Sequence, residues 1–196
     1  MALSKIKTES IADDAVTSGK IDSVGTIVSS NLPSGSVLQV VTTSPTLNGV
    51  SAANSYAVHT SGSTWTSVVT NGYYVDITPS ATSSKILILA NHPSYNSSTG
   101  ATTYYMFKRS IDGGTYSDPT NFDSSQSYDA QGFMRSNVGG DWDYTTYQGL
   151  DSPNTTSAIR YGLHIKTSTG TGIAGWTNSS FANHNISMIT AMEIKG

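Results

Sequence analysis

The chain has no cysteine, which excludes disulfides, thiolate nucleophiles and Cys-ligated zinc or iron–sulfur centres. Charge is scarce too. Asp, Glu, Lys and Arg make up 12% of the 196 residues, about half the share of an ordinary soluble domain. The ten basic residues are dispersed, so no cluster stands ready to neutralise phosphates, and nucleic-acid binding is not expected. Glu occurs only at Glu9 and Glu193. The longest apolar run, Ile86 to Ala90, is five residues, far short of a membrane span. No hydrophobic stretch follows the first lysines, so neither a signal peptide nor membrane insertion is expected.

What is abundant is hydroxyl: 32 Ser and 26 Thr, with 18 Gly and 11 Tyr. Ser, Thr, Gly and Asn lower helix stability while strong helix formers are few, so a helical fold is excluded. A hydrophobic share of 36% and a net charge of -3 also argue against disorder. Turn residues separate β-branched runs at Val37 to Thr43, Thr64 to Thr70, Tyr73 to Thr78, Lys85 to Asn91, Thr103 to Ile111, Ile159 to Thr167 and Asn185 to Lys195. Seven or more short strands predict an all-β, antiparallel, jelly-roll-like sandwich. In Ile159 to Lys166 the apolar residues alternate, leaving Arg160, His164 and Lys166 on the opposite face of a half-buried strand. Lys85 to Leu89 is apolar on both faces, which places it centrally or beneath a partner subunit. Asn71-Gly72 and Asp112-Gly113-Gly114 read as hairpin turns. Residues 112–158 hold seven aromatics and seven of the 13 acids without alternation, and read as a long functional loop region.

Seven of the 23 charged residues fall within the first 22 positions, so the N-terminus differs in composition from the rest. There Ile6, Ile11, Val16 and Ile21 recur at a spacing of five, which fits neither a helix nor a strand. Such a row is useful where copies bury it around a symmetry axis. Pro33 and Gly35 then punctuate a polar connector. The expected organisation is an extended attachment and trimerisation arm over 1–36 and a sandwich head over 37–196.

No catalytic constellation stands out, and no cofactor or metal site is expected. His59, His92, His164 and His184 lack metal-ligand spacing and read as ordinary surface or strand histidines. Asp141-Trp142-Asp143 would place two carboxylates side by side on a strand, whereas a glycosidase needs them on opposite sides of a bond. Trp142, Tyr144 and Tyr147 offer flat faces for sugar rings, with Asp141 and Asp143 to bond hydroxyls, and Trp176 is a further such face. These are the candidate glycan contacts. The alternative is that the aromatics fill the core or a subunit interface.

Ile11-Ala12-Asp13-Asp14-Ala15-Val16-Thr17-Ser18-Gly19-Lys20-Ile21 resembles the start of many tail-fibre and head-fibre proteins of marine bacteriophages, those of cyanobacteria above all. Leu32 to Val41, Asp76 to Ile88, Ser152 to Thr156 and Ile189 to Ile194 are similar to the same group, in the same order. The resemblance implies a virion protein, commonly a homotrimer, joined to another virion protein by its N-terminal segment and carrying its β-rich domain outward. A non-enzymatic fibre that meets a host cell-surface glycan is the leading expectation. Many tail fibres are much longer, which keeps open a capsid-attached head fibre or decoration protein without a receptor role. A glycan-degrading enzyme is the lesser alternative.

Overall fold

The computed structural model describes residues 32–44, 56–120, 134–136, 142–175 and 187–196. The row Ile6, Ile11, Val16 and Ile21, the arm as far as Asn31, and Asp141 and Trp176 lie outside them. The elements in chain order are β1 (Val37–Thr43), β2 (Tyr56–Ser67), a single 3-10 turn (Val69–Asn71), β3 (Tyr74–Ile77), β4 (Lys85–Asn96), β5 (Thr103–Ile111), β6 (Met134–Ser136), β7 (Trp142–Asp151), β8 (Ile159–Gly175) and β9 (Met188–Ile194).

All pairings are antiparallel. One layer runs β1-β9-β4-β7. In the other, β8 is flanked on one side by β2 and β3 in succession and on the other by β5, then β6. The layers meet where Ser94–Asn96 of β4 pair with Gly172–Ala174 of β8. Counting β2 and β3 as one interrupted strand, four strands face four in jelly-roll order, an arrangement that closes most strand edges. The sandwich expected from the strand pattern is thus observed.

The core follows from period-2 alternation. Ile86, Ile88 and Ala90 of β4, Tyr147 of β7, and Ile189 and Ala191 of β9 are buried with Val75 and Ile77 of β3, Tyr105 and Phe107 of β5, and Ile159, Tyr161, Leu163 and Ile165 of β8. Phe107 and Tyr147 meet across the layers with ring centroids 5.2 Å apart. On the other face of β8, Arg160 and Lys166 are half-buried as expected, but His164 is covered by the Tyr116 ring at 4.8 Å and is buried. That burial lowers its pKa.

Three expectations are corrected. Asn71-Gly72 does not turn a hairpin: β2 and β3 both pair with β8, end to end along one edge, and Gly72 (φ 83°) instead ends the 3-10 turn in the left-handed region. Residues 112–158 are not wholly loop, because Trp142–Asp151 is a ten-residue strand paired along its length with β4. Several strands also outrun their expected bounds, β4 to Asn96 and β8 to Gly175. The Asp112-Gly113-Gly114 turn forms as read, with Asp112 (φ 49°) and Gly113 (φ 73°) both left-handed and the Gly114 N–H donating to the Ile111 carbonyl at 2.9 Å. Beyond it Arg109 and Ser117 exchange both backbone bonds.

The unit that holds this fold is Ser34–Gly196. Gly35 donates to the Lys195 carbonyl and Lys195 to that of Ser36, both at 2.8 Å, so the end of the connector belongs to the sandwich. A β-bulge between Val37 and Gln39 turns Gln39 inward, where its amide donates to Glu193 at 2.7 Å. Glu193 also accepts from the Ser80 N–H, Ser80 Oγ and Ser84 Oγ. Burial pushes its carboxyl up, but the bonds from Ser84, Ser80 and Gln39 outweigh that and hold it below the usual range.

Candidate functional site

The strand directions give the sandwich two unlike ends. At the root end stand Val37, Lys85, Asp151, Ile159 and Ile194, with both Ser34 and Gly196 of the chain. At the tip end β1, β4, β6 and β8 finish and β2, β5, β7 and β9 begin. From Lys85 to Asn96, β4 rises about 36 Å at about 3.3 Å per residue.

The residues expected to meet a glycan begin β7, at the tip. Trp142 stands opposite Tyr95, Asp143 opposite Ser94 and Tyr144 opposite Pro93. Tyr144 is 55% exposed. Asp143 is exposed, and its Oδ1 accepts from the Tyr144 N–H at 2.8 Å. Beneath them lies a dense hydroxyl and amide network. Thr145 Oγ1 donates to Ser94 Oγ at 2.7 Å, and Ser94 Oγ to the Asp143 carbonyl at 3.3 Å. Asn96 Nδ2 donates to Thr103 Oγ1 at 2.9 Å and to the Thr169 carbonyl at 3.2 Å, while its Oδ1 accepts from the Ser98 N–H at 2.9 Å. Gly170 (φ 73°) closes over this network so tightly that a Cβ there would collide with Ser98 Oγ. The Ser, Thr and Asn richness of the sequence is therefore partly structural: it satisfies the tip internally.

Tyr147 is corrected as a glycan contact. It is 6% exposed, packs on Phe107, and burial raises its phenol pKa. Its ring has no face open to a sugar. Asp151, at the other end of β7, is occupied as well. It accepts both Oδ contacts of Arg109 Nη1 at 2.8 and 2.9 Å, the Thr120 N–H at 2.6 Å and the Tyr161 hydroxyl at 2.7 Å. Trp142, Asp143 and Tyr144 are brought together by β7, while Asp141 falls outside the described residues. Tyr144 and Asp143, both exposed, offer a ring face that can stack on a sugar and a carboxylate that can accept from its hydroxyls.

A concavity of about 710 Å³ at the root end was not foreseen. Its lining includes Gln39, Asp76, Ser110, Asp112, Tyr116 and Arg160. Arg160 grips Asp76 through Nε at 2.7 Å and Nη2 at 2.8 Å, and lies 3.9 Å above the Tyr74 ring. The hydrogen bond and charge of Asp76 raise the Arg160 pKa further. Register alone creates this pair, since Asp76 and Arg160 are directly opposite on β3 and β8, and a single sequence does not disclose which strands pair.

No protein-family model and no curated protein matches the chain. Among solved structures it is similar to a chain in a structure of the infectious bursal disease virus Gx strain, with a TM-score of 0.40 and 11% identity. The similarity covers 80% of this chain and 36% of that one, so this chain spans little more than a third of its length.

Proposed function

We propose that the protein is a non-enzymatic bacteriophage virion fibre protein, attached to the particle through residues 1–36 and presenting its sandwich to the host surface. The reading draws on the sequence resemblance to marine phage fibres. The observation that carries it is polarity: the chain enters the sandwich at Ser34 and Val37 on the root end, while Trp142, Asp143 and Tyr144 stand about 26 to 33 Å away toward the tip. A chain entry at one end and an exposed aromatic side chain toward the other is what a particle-to-cell adaptor requires. Homotrimerisation through Ile6, Ile11, Val16 and Ile21 would triple each weak glycan contact, and several fibres per particle would multiply it again through effective concentration.

Phage particles carrying Tyr144→Ala test the site. The side chain is more than half exposed, so the melting temperature is expected to stay unchanged while adsorption to host cells falls at least about tenfold, one modest stacking contact being lost from every copy. Unchanged adsorption by particles that carry the variant in full amount overturns the tip as the receptor surface. A second reading, a capsid-bound head fibre or decoration protein, is favoured by one observation. Even β8, the longest strand of the sandwich, rises only about 53 Å over 17 residues, which suits a short appendage better than a long tail fibre.

A further inference from the structure

Four of the five large apolar side chains that are exposed among the described residues, Val37, Val40, Leu150 and Met188, belong to one place, the outward face of the β1-β9-β4-β7 layer, and the fifth, Tyr144, lies past its last row at the tip. The register aligns them into rows. Val40, Met192, Leu87 and Leu150 run straight across the four strands, and Val37 stands beside Ile194 in the row towards the root. Val37 is 51% exposed, Val40 54%, Leu150 44% and Met188 45%. The remaining rows are uncharged, with Thr42, Thr190, Leu89 and Gln148 in one and Met188, Asn91 and Thr146 in another. Among the described residues of this face the one charged side chain is Lys85, at its root margin.

The outward face of the other layer is built differently. There Lys108 pairs with Asp118 at 2.8 Å, Arg160 pairs with Asp76, and Lys166 lies over the Trp65 and Tyr104 rings at 5.2 and 5.5 Å. Charge covers the aromatics on that side, as a solvated surface requires, and nothing of the kind covers the rows of Val40 and Leu150 among the described residues. The bare face measures about 19 by 23 Å, four strands at about 4.8 Å by seven residues at about 3.3 Å. A nearly uncharged face that gathers the exposed aliphatic side chains in adjoining rows marks an interaction surface.

We infer that this face is buried against further copies of the same chain, three of them turning their β1-β9-β4-β7 layers toward a common axis. The inference rests on the trimeric fibre reading and gives its head a contact of its own. Near-neutrality selects the occupant. Identical surfaces brought together repel wherever they carry net charge, and here the apolar rows meet their own copies without that cost. A bare plane of about 440 Å² per copy is below the about 800 Å² per partner of a free-standing interface. The heads are therefore expected to hold together in concert with the row of four apolar residues in the arm.

The full chain carrying Val40→Glu and Leu150→Glu tests this. Both sites are half exposed in the single chain, so the far-ultraviolet circular dichroism spectrum should not change. Sedimentation equilibrium is expected to show trimers for the wild type, and for the variant a protomer concentration at half assembly raised at least about 100-fold, two unpaired carboxylates being buried per copy. Lys166→Glu, on the other layer, should assemble normally. A variant that assembles as tightly as the wild type overturns the inference and leaves the fibre reading intact, the arm then holding the trimer alone. A monomeric wild type at micromolar concentration overturns both the inference and the trimer. Because the chain has no cysteine, Leu87→Cys gives a second test that does not depend on a charge change. Mild oxidation should yield covalent dimers for Leu87→Cys and none for Lys166→Cys, and the reverse pattern contradicts the inference.

Discussion

His92 shows how a single side chain sets the pH response of this domain. It points inward from β4 between Tyr105, with ring centroids 4.5 Å apart, and Tyr73, at 6.4 Å. Its Nδ1 lies 3.0 Å from the Pro93 carbonyl, and its Nε2 has no hydrogen-bond partner among the described residues. Burial lowers its pKa to about 4 from 6.5. Between those values the unfolded chain binds a proton that the folded chain refuses. The stabilisation is therefore complete above about pH 6.5 and is lost as pH falls toward 4, by about 3 kcal/mol in all. Denaturant unfolding across pH 4 to 7 should show that loss, and the total loss should be about 3 kcal/mol smaller in His92→Leu, where the contributions of His164 and Glu193 remain; equal acid sensitivity in both proteins contradicts the assignment. In the sequence His92 reads as an ordinary surface or strand histidine. Its inward phase, two residues after Ala90, becomes legible only once β4 is carried on through Pro93, a residue that normally argues for a strand end.

Among the elements, β7 was the least legible and β8 the most. β8 buries Ile, Tyr, Leu and Ile on one face, so hydropathy alternates with the pleat. β7 buries Thr145, Tyr147, Gly149 and Asp151 and exposes Tyr144, Thr146, Gln148 and Leu150. Its inward face is thus more polar than the pattern of a half-buried strand allows. That arrangement stands because Asp151 finds three partners inside: the Arg109 guanidinium, the Tyr161 hydroxyl and the Thr120 N–H. Asp151→Ala leaves Arg109 half-buried without its carboxylate, and is expected to cost about 3 to 5 kcal/mol. Equilibrium denaturation checks this, and a change below 1 kcal/mol would mean that β7 is held by its ladder to β4 alone. The same blindness to pairing explains Asn71-Gly72, whose dipeptide fits a hairpin but whose flanking strands both find β8. It also explains Tyr147: one strand carries it with Trp142, Asp143 and Tyr144, and the pleat turns its ring to the core, away from the side of Tyr144.

At the scale of the whole molecule, composition disclosed the fold class and the apolar runs disclosed most of the strands, but their division into layers, and of labour between faces and ends, came only with the topology. Lys85 to Leu89, apolar on both sides in the sequence, sits centrally in its layer with Ile86 and Ile88 in the core and Leu87 and Leu89 on the bare face. The sandwich then has a charged outward face, an apolar outward face, a root that receives the chain and a tip that carries the exposed aromatic edge. A particle protein that bridges to a cell surface would use all four. The most direct measurement of that account is a cryo-electron microscopy map of the intact particle, resolved well enough to dock Ser34–Gly196. The account predicts heads in threes, roots toward the particle, the Val40 and Leu150 faces turned to the shared axis and the Tyr144 edge outermost. Heads docked with the tip against the particle, or this chain missing from purified particles altogether, would contradict it.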